Sequence, residues 1–157
     1  MENETLMKVK IRAYCDKAER CHSEVRNKLF QWKVPVSSHG EMMADLIAQN
    51  LLNEERYALA FVHDHHAFRR WGKEKIRQGL MKKQVSSFLI DFALKSVQFE
   101  SEEENLRICA RKKWESLKDE NKLKKRAKLI RYLYGKGFEM QAIQNAVSSL
   151  MDDTEFE

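Results

Sequence analysis

The amino-acid sequence predicts an all-α protein of three tandem three-helix repeats, about nine helices, stacked into an elongated and curved array. A short apolar pattern occurs three times: two apolar residues four positions apart are followed, five positions later, by a third. The copies are Val25/Leu29/Val34, Ile76/Leu80/Val85 and Leu129/Leu133/Phe138, at offsets of 51 and 53 residues. A four-residue step places the first two side chains on one helix face, and the third residue anchors the turn beyond it.

Two further observations support this fold class. The 157 residues contain only five glycines and one proline, and this scarcity of helix breakers favours long helices over a turn-rich β fold. The second and third copies also match beyond the apolar triplet. Ile90, Ala93 and Leu94 correspond to Ile143, Ala146 and Val147 at the same offset of 53. One such unit is too small to bury its own apolar faces, so we expect neighbouring units to stack.

The first repeat is predicted to span residues 1–52. Ser23 can begin its second helix, and Pro35 must lie beyond the end of that helix because the residue before a proline disfavours helical geometry. Ser38 and Glu41 form a capping-box pattern for the third helix. Asn50 can end that helix in a left-handed conformation. The predicted helices are about 5–20, 23–33 and 39–49.

The second repeat is predicted at residues 53–99 and the third at 100–151. In the second, Asn53 and Ser86 are good N-caps and Gly72 separates two helices. In the third, Ser101 opens a second capping box. The predicted helices are about 53–70, 73–83, 86–97, 101–117, 121–134 and 140–150, and we expect residues 152–157 to form a frayed acidic tail.

Composition excludes several classes of protein. With 43% hydrophobic and 34% charged residues, the chain can build a core and is unlike a disordered protein. No apolar run approaches the roughly 20 residues that span a bilayer, and the acidic start is unlike a secretory signal, so we expect no membrane association and a cytoplasmic location. Three cysteines without a Cys-Xaa-Xaa-Cys pair indicate reduced thiols: Cys15, Cys21 and Cys109.

The net charge of +5 is distributed unevenly. Residues 105–137 contain 12 Lys/Arg and three Asp/Glu, so this segment carries +9 and the rest of the chain −4. A basic third attached to an acidic remainder indicates an anionic partner for one part of the molecule.

Two stretches resemble the RecX family, bacterial regulators of the recombinase RecA. Residues 46–58 are similar to that family's L-(N/G)-L-L-(D/N)-(D/E)-x-R-(F/Y)-A motif, and residues 70–80 to its G-x-x-x-I-x-x-x-L motif with basic residues between. Residues 24–29 resemble its E-L-R-x-K-L element and residues 133–138 its L-x-x-x-G-F element. The resemblance covers about residues 12–148. Among the departures, Gln84 stands where a glycine commonly ends the helix, and Cys21 where a serine commonly begins one.

The resemblance implies a crescent of three three-helix units that binds along the groove of a RecA–DNA filament. It implies restraint of ATPase activity, strand exchange and repressor co-cleavage in DNA repair and the SOS response. It also implies a regulator rather than an enzyme, and we expect a monomer.

Little in the sequence indicates catalysis or a cofactor. The cluster His63-Asp64-His65-His66 is the one segment resembling a metal or hydrolase site. On a helix His63 and His66 would share a face, but zinc needs a third ligand and no His-Glu-Xaa-Xaa-His spacing is present. We therefore interpret the cluster as solvated helix residues, and expect no catalytic residue, no metal and no cofactor. A metal-dependent hydrolase remains as an alternative.

Basic residues are the better candidates for a binding site. These residues could form a solvated surface that aids solubility, or they could form an electrostatic face for nucleic acid or for an acidic protein surface. Helical geometry predicts that Lys73 projects with Arg77. The candidate face comprises Arg70, Trp71, Lys73, Lys75, Arg77, Lys82, Lys83, Lys124, Lys125, Arg126, Lys128 and Arg131. Single- or double-stranded DNA is a further candidate partner, and a helical DNA-binding module acting without RecA is the alternative function.

Aromatic residues could supply stacking platforms for single strands, but most fit inward-facing helix positions. We predict that seven belong to the core: Tyr57, Phe61, Phe68, Phe88, Phe92, Tyr132 and Phe138. Trp71, between Arg70 and Gly72, is the aromatic most suited to contact a partner.

Overall fold

A computed structural model describes residues 2–118 and 121–155 of the chain. These residues form nine α-helices, and none of them forms a β-strand. The helices are α1 (Glu2–Lys17), α2 (His22–Gln31), α3 (Val36–Ala48), α4 (Glu54–Ala67), α5 (Lys73–Lys82), α6 (Ser87–Leu94), α7 (Phe99–Ser116), α8 (Lys122–Gly135) and α9 (Met140–Glu155). The predicted all-α class and helical repeat are confirmed. The repeat boundaries at 52, 99 and 151, like the array's elongation and curvature, stay predictions.

The chain divides into two compact units. Unit 1 comprises Met1–Phe61 and Leu80–Ala93, and unit 2 comprises Val62–Gly79 and Leu94–Glu157. Helices α4 and α5 each contribute residues to both units.

The core of unit 1 is formed by α1, α2 and α3. Its buried members are Ile11, Cys15, Val25, Leu29, Val34, Met42, Met43, Leu46 and Leu52. Tyr14 and Trp32 are partly buried and pack against this cluster. The spacing of Val25 and Leu29 within α2 places both side chains on the buried face, as the helical period requires.

The core of unit 2 is formed by α7, α8 and α9. Its buried members are Leu106, Cys109, Ala110, Leu129, Leu133, Phe138, Ile143, Val147 and Leu150. Trp114 and Leu117 pack against it from the end of α7. The basic residues of α8 are therefore attached to a helix that Leu129 and Leu133 hold in place by burial.

The recurring apolar triplet has the same structural role in each copy. All nine residues are buried, with at most 7% of any of them exposed. In each copy the backbone N–H of the third residue donates to the carbonyl of the second: Val34 to Leu29 at 2.9 Å, Val85 to Leu80 at 3.2 Å and Phe138 to Leu133 at 3.4 Å. The residue before the third has positive φ: Lys33 (61°), Gln84 (62°) and Gly137 (96°). This is a Schellman helix end, and it confirms the predicted turn anchor.

Three predicted helix starts are wrong. Helix α2 begins at His22 with Cys21 as its N-cap, so Ser23 lies inside the first turn. Helix α3 begins at Val36 with Pro35 as its N-cap, so Ser38 lies inside the first turn. Helix α7 begins at Phe99 with Gln98 as its N-cap, so Ser101 is likewise inside the helix. In all three cases the residue that precedes the helix has the non-helical backbone geometry that an N-cap requires, so the serine is not needed as the cap.

Other predicted caps are confirmed. The side chain of Asn53 accepts a hydrogen bond from Arg56 N at 3.1 Å, and Ser86 Oγ accepts one from Leu89 N at 3.3 Å. Asn50 has a φ of 60°, as predicted for the end of α3.

The predicted acidic tail begins within α9, which continues to Glu155, and Phe156 and Glu157 lie outside the described residues.

The prediction that seven aromatic residues belong to the core is only partly correct. Tyr57 and Phe138 are buried, at 7% and 2% exposed. Phe68, Phe88 and Phe92 are instead exposed at the surface. Phe61 is half-buried, and Tyr132 is 37% exposed. Helical periodicity alone could not separate these cases, because Phe68 falls beyond the end of α4 and Phe88 lies in the first turn of α6.

Candidate functional site

In unit 2, residues of the third repeat form hydrogen bonds with the start of α5 and hold it in place. We call this set of contacts the second joint. Gly72 N donates to Lys136 O at 2.7 Å, and Glu74 N donates to Gly137 O at 3.1 Å. The side chain of Glu102 accepts from Lys73 N at 3.0 Å and so caps the positive end of the helix. Three elements, α5, α7 and the turn after α8, therefore position the first basic residues of the candidate face.

In unit 1, residues of the second repeat hold the start of α2 through similar hydrogen bonds. We call this set of contacts the first joint. Glu54 Oε1 accepts from His22 N at 3.0 Å, as Glu102 does for Lys73. Ser23 Oγ donates to Lys83 O at 2.7 Å, which corresponds in sequence to the carbonyl of Lys136 in the second joint. A carboxylate from the next repeat caps the helix in each case, and a turn carbonyl accepts the second hydrogen bond.

The charges of Lys73 and Arg77 are partly balanced by neighbouring carboxylates. Lys73 Nζ lies 3.8 Å from Glu102 Oε2, and Arg77 Nε lies 3.9 Å from Glu74 Oε1. Both cationic side chains are about two-fifths exposed. Ion pairs this exposed stabilise a fold by less than about 1 kcal/mol, so their carboxylates mainly reduce the local positive potential.

Trp71 lies within a cluster of cationic and aromatic side chains. Lys75 Nζ is 4.3 Å from the centre of the indole, Arg69 Cζ is 5.8 Å away, and the His65 ring centre is 4.4 Å away. The indole is half-buried. Cation–π attraction holds Lys75 against the ring, and the ring is therefore less open to a nucleic-acid base than an uncovered tryptophan. Arg70 adopts a φ of 52° and its carbonyl accepts from Cys109 Sγ at 4.0 Å.

The basic residues of α8 are the most exposed part of the candidate face. Lys124, Arg126, Lys128 and Arg131 are all exposed. Lys125 is half-buried because its ammonium lies 4.0 Å from the centre of the Trp114 ring. Positions 124, 128 and 131 follow the i, i+4, i+7 spacing of one helix face, opposite the buried Leu133. This basic α8 face can contact several phosphates or carboxylates at once.

Lys82 and Lys83 lie in unit 1, where they line an open groove of about 580 Å³. Across the groove α2 contributes Arg26, Asn27 and Phe30. The two lysines belong to the predicted candidate face, whereas the three α2 residues do not. A signal for them existed, because 51 positions later the chain carries Arg77, Gln78 and Met81.

The histidine cluster is dispersed over the surface of α4. His63 Nδ1 lies 3.3 Å from Asp64 Oδ1, and both side chains are well exposed. His66 is engaged in packing with α7: its Nε2 lies 2.8 Å from Ser101 Oγ, and Asn105 Nδ2 donates to its carbonyl at 3.0 Å. Burial lowers the pKa of His66, with smaller opposing and reinforcing effects from neighbouring charges. Among the described residues no three potential ligands converge as a metal site would require.

The three cysteines are buried and unpaired with one another. Burial raises the pKa of each thiol, which disfavours the reactive thiolate. Within the described chain no helix has the length and apolar character of a membrane span.

Comparison with known proteins identifies the family. The sequence model of "RecX, second three-helix domain" matches residues 53–94, and that of "RecX, third three-helix domain" matches residues 100–147. The chain belongs to the RecX family. The predicted family is thus confirmed, and the two matched domains cover more than half of the chain.

Individual relatives agree with this assignment. Regulatory protein RecX of Bacillus mycoides (strain KBAB4) is 26% identical over 157 residues, which cover 99% of this chain and 58% of the relative. Regulatory protein RecX of Clostridium perfringens (strain 13 / Type A) is 29% identical over 140 residues, which cover 88% of this chain and 65% of the relative. The chain thus spans about three-fifths of the length of these two relatives.

Solved structures share the fold. A crystal structure of regulatory protein RecX superposes with a TM-score of 0.81 at 22% identity, covering 88% of this chain and 72% of that one. RecX from Lactobacillus salivarius superposes with a TM-score of 0.79 at 22% identity, covering 91% of this chain and 93% of that one. The RecX fold is therefore the fold of this chain.

Proposed function

We propose that this protein is a cytoplasmic regulator that binds the RecA–DNA filament and lowers its recombinase, ATPase and co-protease activities in DNA repair and the SOS response. The proposal rests chiefly on one observation: residues 53–94 and 100–147 match two successive RecX domains. Relatives over most of the chain are named regulatory proteins, and we propose that this one likewise acts by binding and without catalysis.

The repeat supplies a physical mechanism for such binding. A filament presents the same surface at regular intervals, and three similar units can contact it at several places at once. Once one unit is bound, the others bind at a high effective concentration, so weak individual contacts combine into a useful affinity. Contacts spread over neighbouring RecA subunits would restrict the subunit movements that accompany ATP hydrolysis.

Charge supports an anionic partner. The +9 segment between residues 105 and 137 includes the basic α8 face of Lys124, Lys128 and Arg131, and all three are exposed. Clustered cations on one helix favour a polyanion, because each neutralised phosphate releases condensed counterions.

The experiment is a titration of RecA ATPase activity on single-stranded DNA. Purified protein is added to preformed filaments, and phosphate release is measured alongside co-sedimentation of the protein with the filament. We expect co-sedimentation and a saturable decrease in ATPase rate. Unchanged ATPase activity and no co-sedimentation at saturating protein would contradict the proposed role.

A stand-alone DNA-binding module is the second candidate, and the exposed cations of α8 favour it. Such a module would bind bare DNA with a steep salt dependence and gain nothing from RecA. Comparing the affinity for a bare oligonucleotide with that for the same oligonucleotide coated by RecA separates the two functions. Tighter binding to the coated DNA supports the filament regulator.

A further inference from the structure

The groove in unit 1 combines three kinds of chemistry in one place. Arg26, Lys82 and Lys83 supply positive charge, Asn27 and Gln84 supply amide donors and acceptors, and Phe30 supplies an apolar ring. Its volume of about 580 Å³ is sufficient for a short stretch of side chains. The groove opens to solvent between α2 and the turn that follows α5.

The groove is held in its shape before any partner binds. Ser23 Oγ donates to Lys83 O at 2.7 Å and ties α2 to the opposite wall. The Phe30 ring packs edge-on against the ring of buried His39, at 4.9 Å between centres, and His39 Nε2 lies 2.9 Å from Val34 O. Although its ring is held in this way, 55% of Phe30 remains exposed. An apolar side chain that is both fixed and exposed can anchor a partner at a low entropic cost.

The same chemistry recurs along the sequence. Positions 51 residues after Arg26, Asn27 and Phe30 hold Arg77, Gln78 and Met81. Met81 is 61% exposed, as Phe30 is 55% exposed. The third copy holds Ile130, Arg131 and Tyr134 at these positions, so the set is shared by the first two repeats alone. Its presence in both supports a contact between this surface and a partner.

We propose that this groove binds an acidic protein segment carrying an apolar side chain. The inference rests on the proposed function and assigns the contact to the protein component of the filament, RecA, instead of its DNA. Carboxylates of the segment pair with Arg26 and Lys82, the amides bond its backbone, and its apolar side chain packs on Phe30.

The charges around the groove favour protein over nucleic acid as the occupant. Lys83 Nζ lies 3.4 Å from Glu24, so one of the three cations is already partly balanced. This balance weakens the attraction of the groove for a continuous row of phosphates. One or two carboxylates of a peptide need only Arg26 and Lys82 as partners.

The test is photo-crosslinking from the groove. The change Asn27→p-benzoylphenylalanine places a photoreactive group at an exposed position of the groove, and Phe88→p-benzoylphenylalanine provides a control elsewhere in unit 1. Each variant is irradiated with RecA filaments on labelled single-stranded DNA. We expect a RecA adduct from position 27 and none from position 88. An adduct to the DNA, or no adduct although the protein co-sediments with filaments, overturns the groove proposal and leaves the proposed function intact.

Affinity measurements provide an independent readout. Phe30→Ala and Arg26→Glu should each weaken filament binding about tenfold, as expected for a contact at the centre of an interface. Phe88→Ala makes the same change, and Lys17→Glu the same reversal of charge, at exposed positions outside the groove, and both should leave binding unchanged. Far-UV circular dichroism confirms that all four variants are folded. Equal affinities of groove and control variants refute the groove, whereas the absence of filament binding by the wild type refutes both proposals.

Discussion

Gly72 and Gly137 approach each other so closely that neither position could accept a side chain. A Cβ atom on Gly72 would overlap the carbonyl carbon and oxygen of Gly137, and one on Gly137 would overlap the backbone of Lys75. Gly137 also has a φ of 96°, which other residues rarely adopt. The joint that starts α5 in unit 2 therefore depends on both glycines.

We predict that Gly72→Ala lowers the free energy of unfolding by about 2–3 kcal/mol, since backbone cannot move aside as a flexible side chain can. Urea denaturation followed by circular dichroism measures it. Gly40→Ala is the matched control, because no atom lies within 4 Å of the added methyl group and alanine is the better helix former. The control should raise stability by about 0.5–1 kcal/mol. Equal effects of the two changes would contradict the close approach.

His66 makes stability dependent on pH. Burial lowers its pKa below the ordinary value of 6.5; Glu102 opposes this shift, and His63 and Lys73 reinforce it. The unfolded chain therefore binds a proton more readily than the folded one. The stability associated with a neutral, part-buried His66 is therefore fully present above the unfolded pKa. It is lost as pH falls from about 6.5 through the lower pKa of the folded protein.

We predict that His66→Gln flattens the pH dependence of stability between about pH 5 and 7. Glutamine is neutral throughout this range and can still bond Ser101. Thermal unfolding at a series of pH values measures the slope. His63→Gln removes an exposed histidine whose influence on the pKa of His66 is smaller than that of burial, and should leave most of the slope. A slope that survives in the His66 variant would contradict the assignment.

At the scale of the helix, the left-handed ends of α2, α5 and α8 define the repeat. Glycine occupies this position after α8, but Lys33 and Gln84 occupy it after α2 and α5 with φ near 60°. A residue with a Cβ atom is strained there by roughly 1 kcal/mol. The repeat retains the conformation because the buried residue that follows, Val34 or Val85, anchors the turn.

We predict that Gln84→Gly raises the free energy of unfolding by about 0.5–1 kcal/mol, because it relieves this strain at a helix end. Gln78→Gly makes the same chemical change in the interior of α5 and should lower stability by roughly 1 kcal/mol. Chemical denaturation of both variants compares them. Effects of the same sign would show that the end of α5 is not held in the left-handed region.

At the scale of the molecule, the charge of α8 should control the salt dependence of binding. We predict that changing Lys124, Lys128 and Arg131 together to Glu lowers affinity for DNA-containing filaments and reduces the slope of log K against log salt by about 2–3, or roughly 0.7–0.9 per lost phosphate contact. Fluorescence anisotropy at several salt concentrations measures it. An unchanged slope would mean that this face makes no phosphate contact.

The control for this variant must match its charge without touching the basic α8 face. Lys17, Lys33 and Lys95 are exposed outside α8, and changing all three to Glu gives the same net charge. Lys73→Glu is a poorer control, because it would place a carboxylate beside Glu102 and disturb the cap of α5. A similar fall in slope for both triple variants would indicate a general charge effect.

The candidate site could be predicted only in part. Its cations are visible in the sequence because Lys and Arg cluster locally. Sequence alone did not show which of them are balanced: Lys73 and Arg77 have carboxylate neighbours, and Lys125 lies over Trp114. Nor did it show that Phe30, Asn27 and Arg26 face Lys82 and Lys83, since these groups lie more than 50 positions apart.

The sequence by itself determined the all-α class, the family and the register of the repeat, because a period of 3.6 residues and a left-handed helix end are local properties of the chain. Tertiary structure decided which phenylalanines are buried, which charges have partners and what holds the starts of α2 and α5. Those outcomes depend on residues brought together from distant positions, such as Gly72 with Gly137 and Ser23 with Lys83. No local pattern encodes such a contact, because its free energy exists only once both elements have formed and packed.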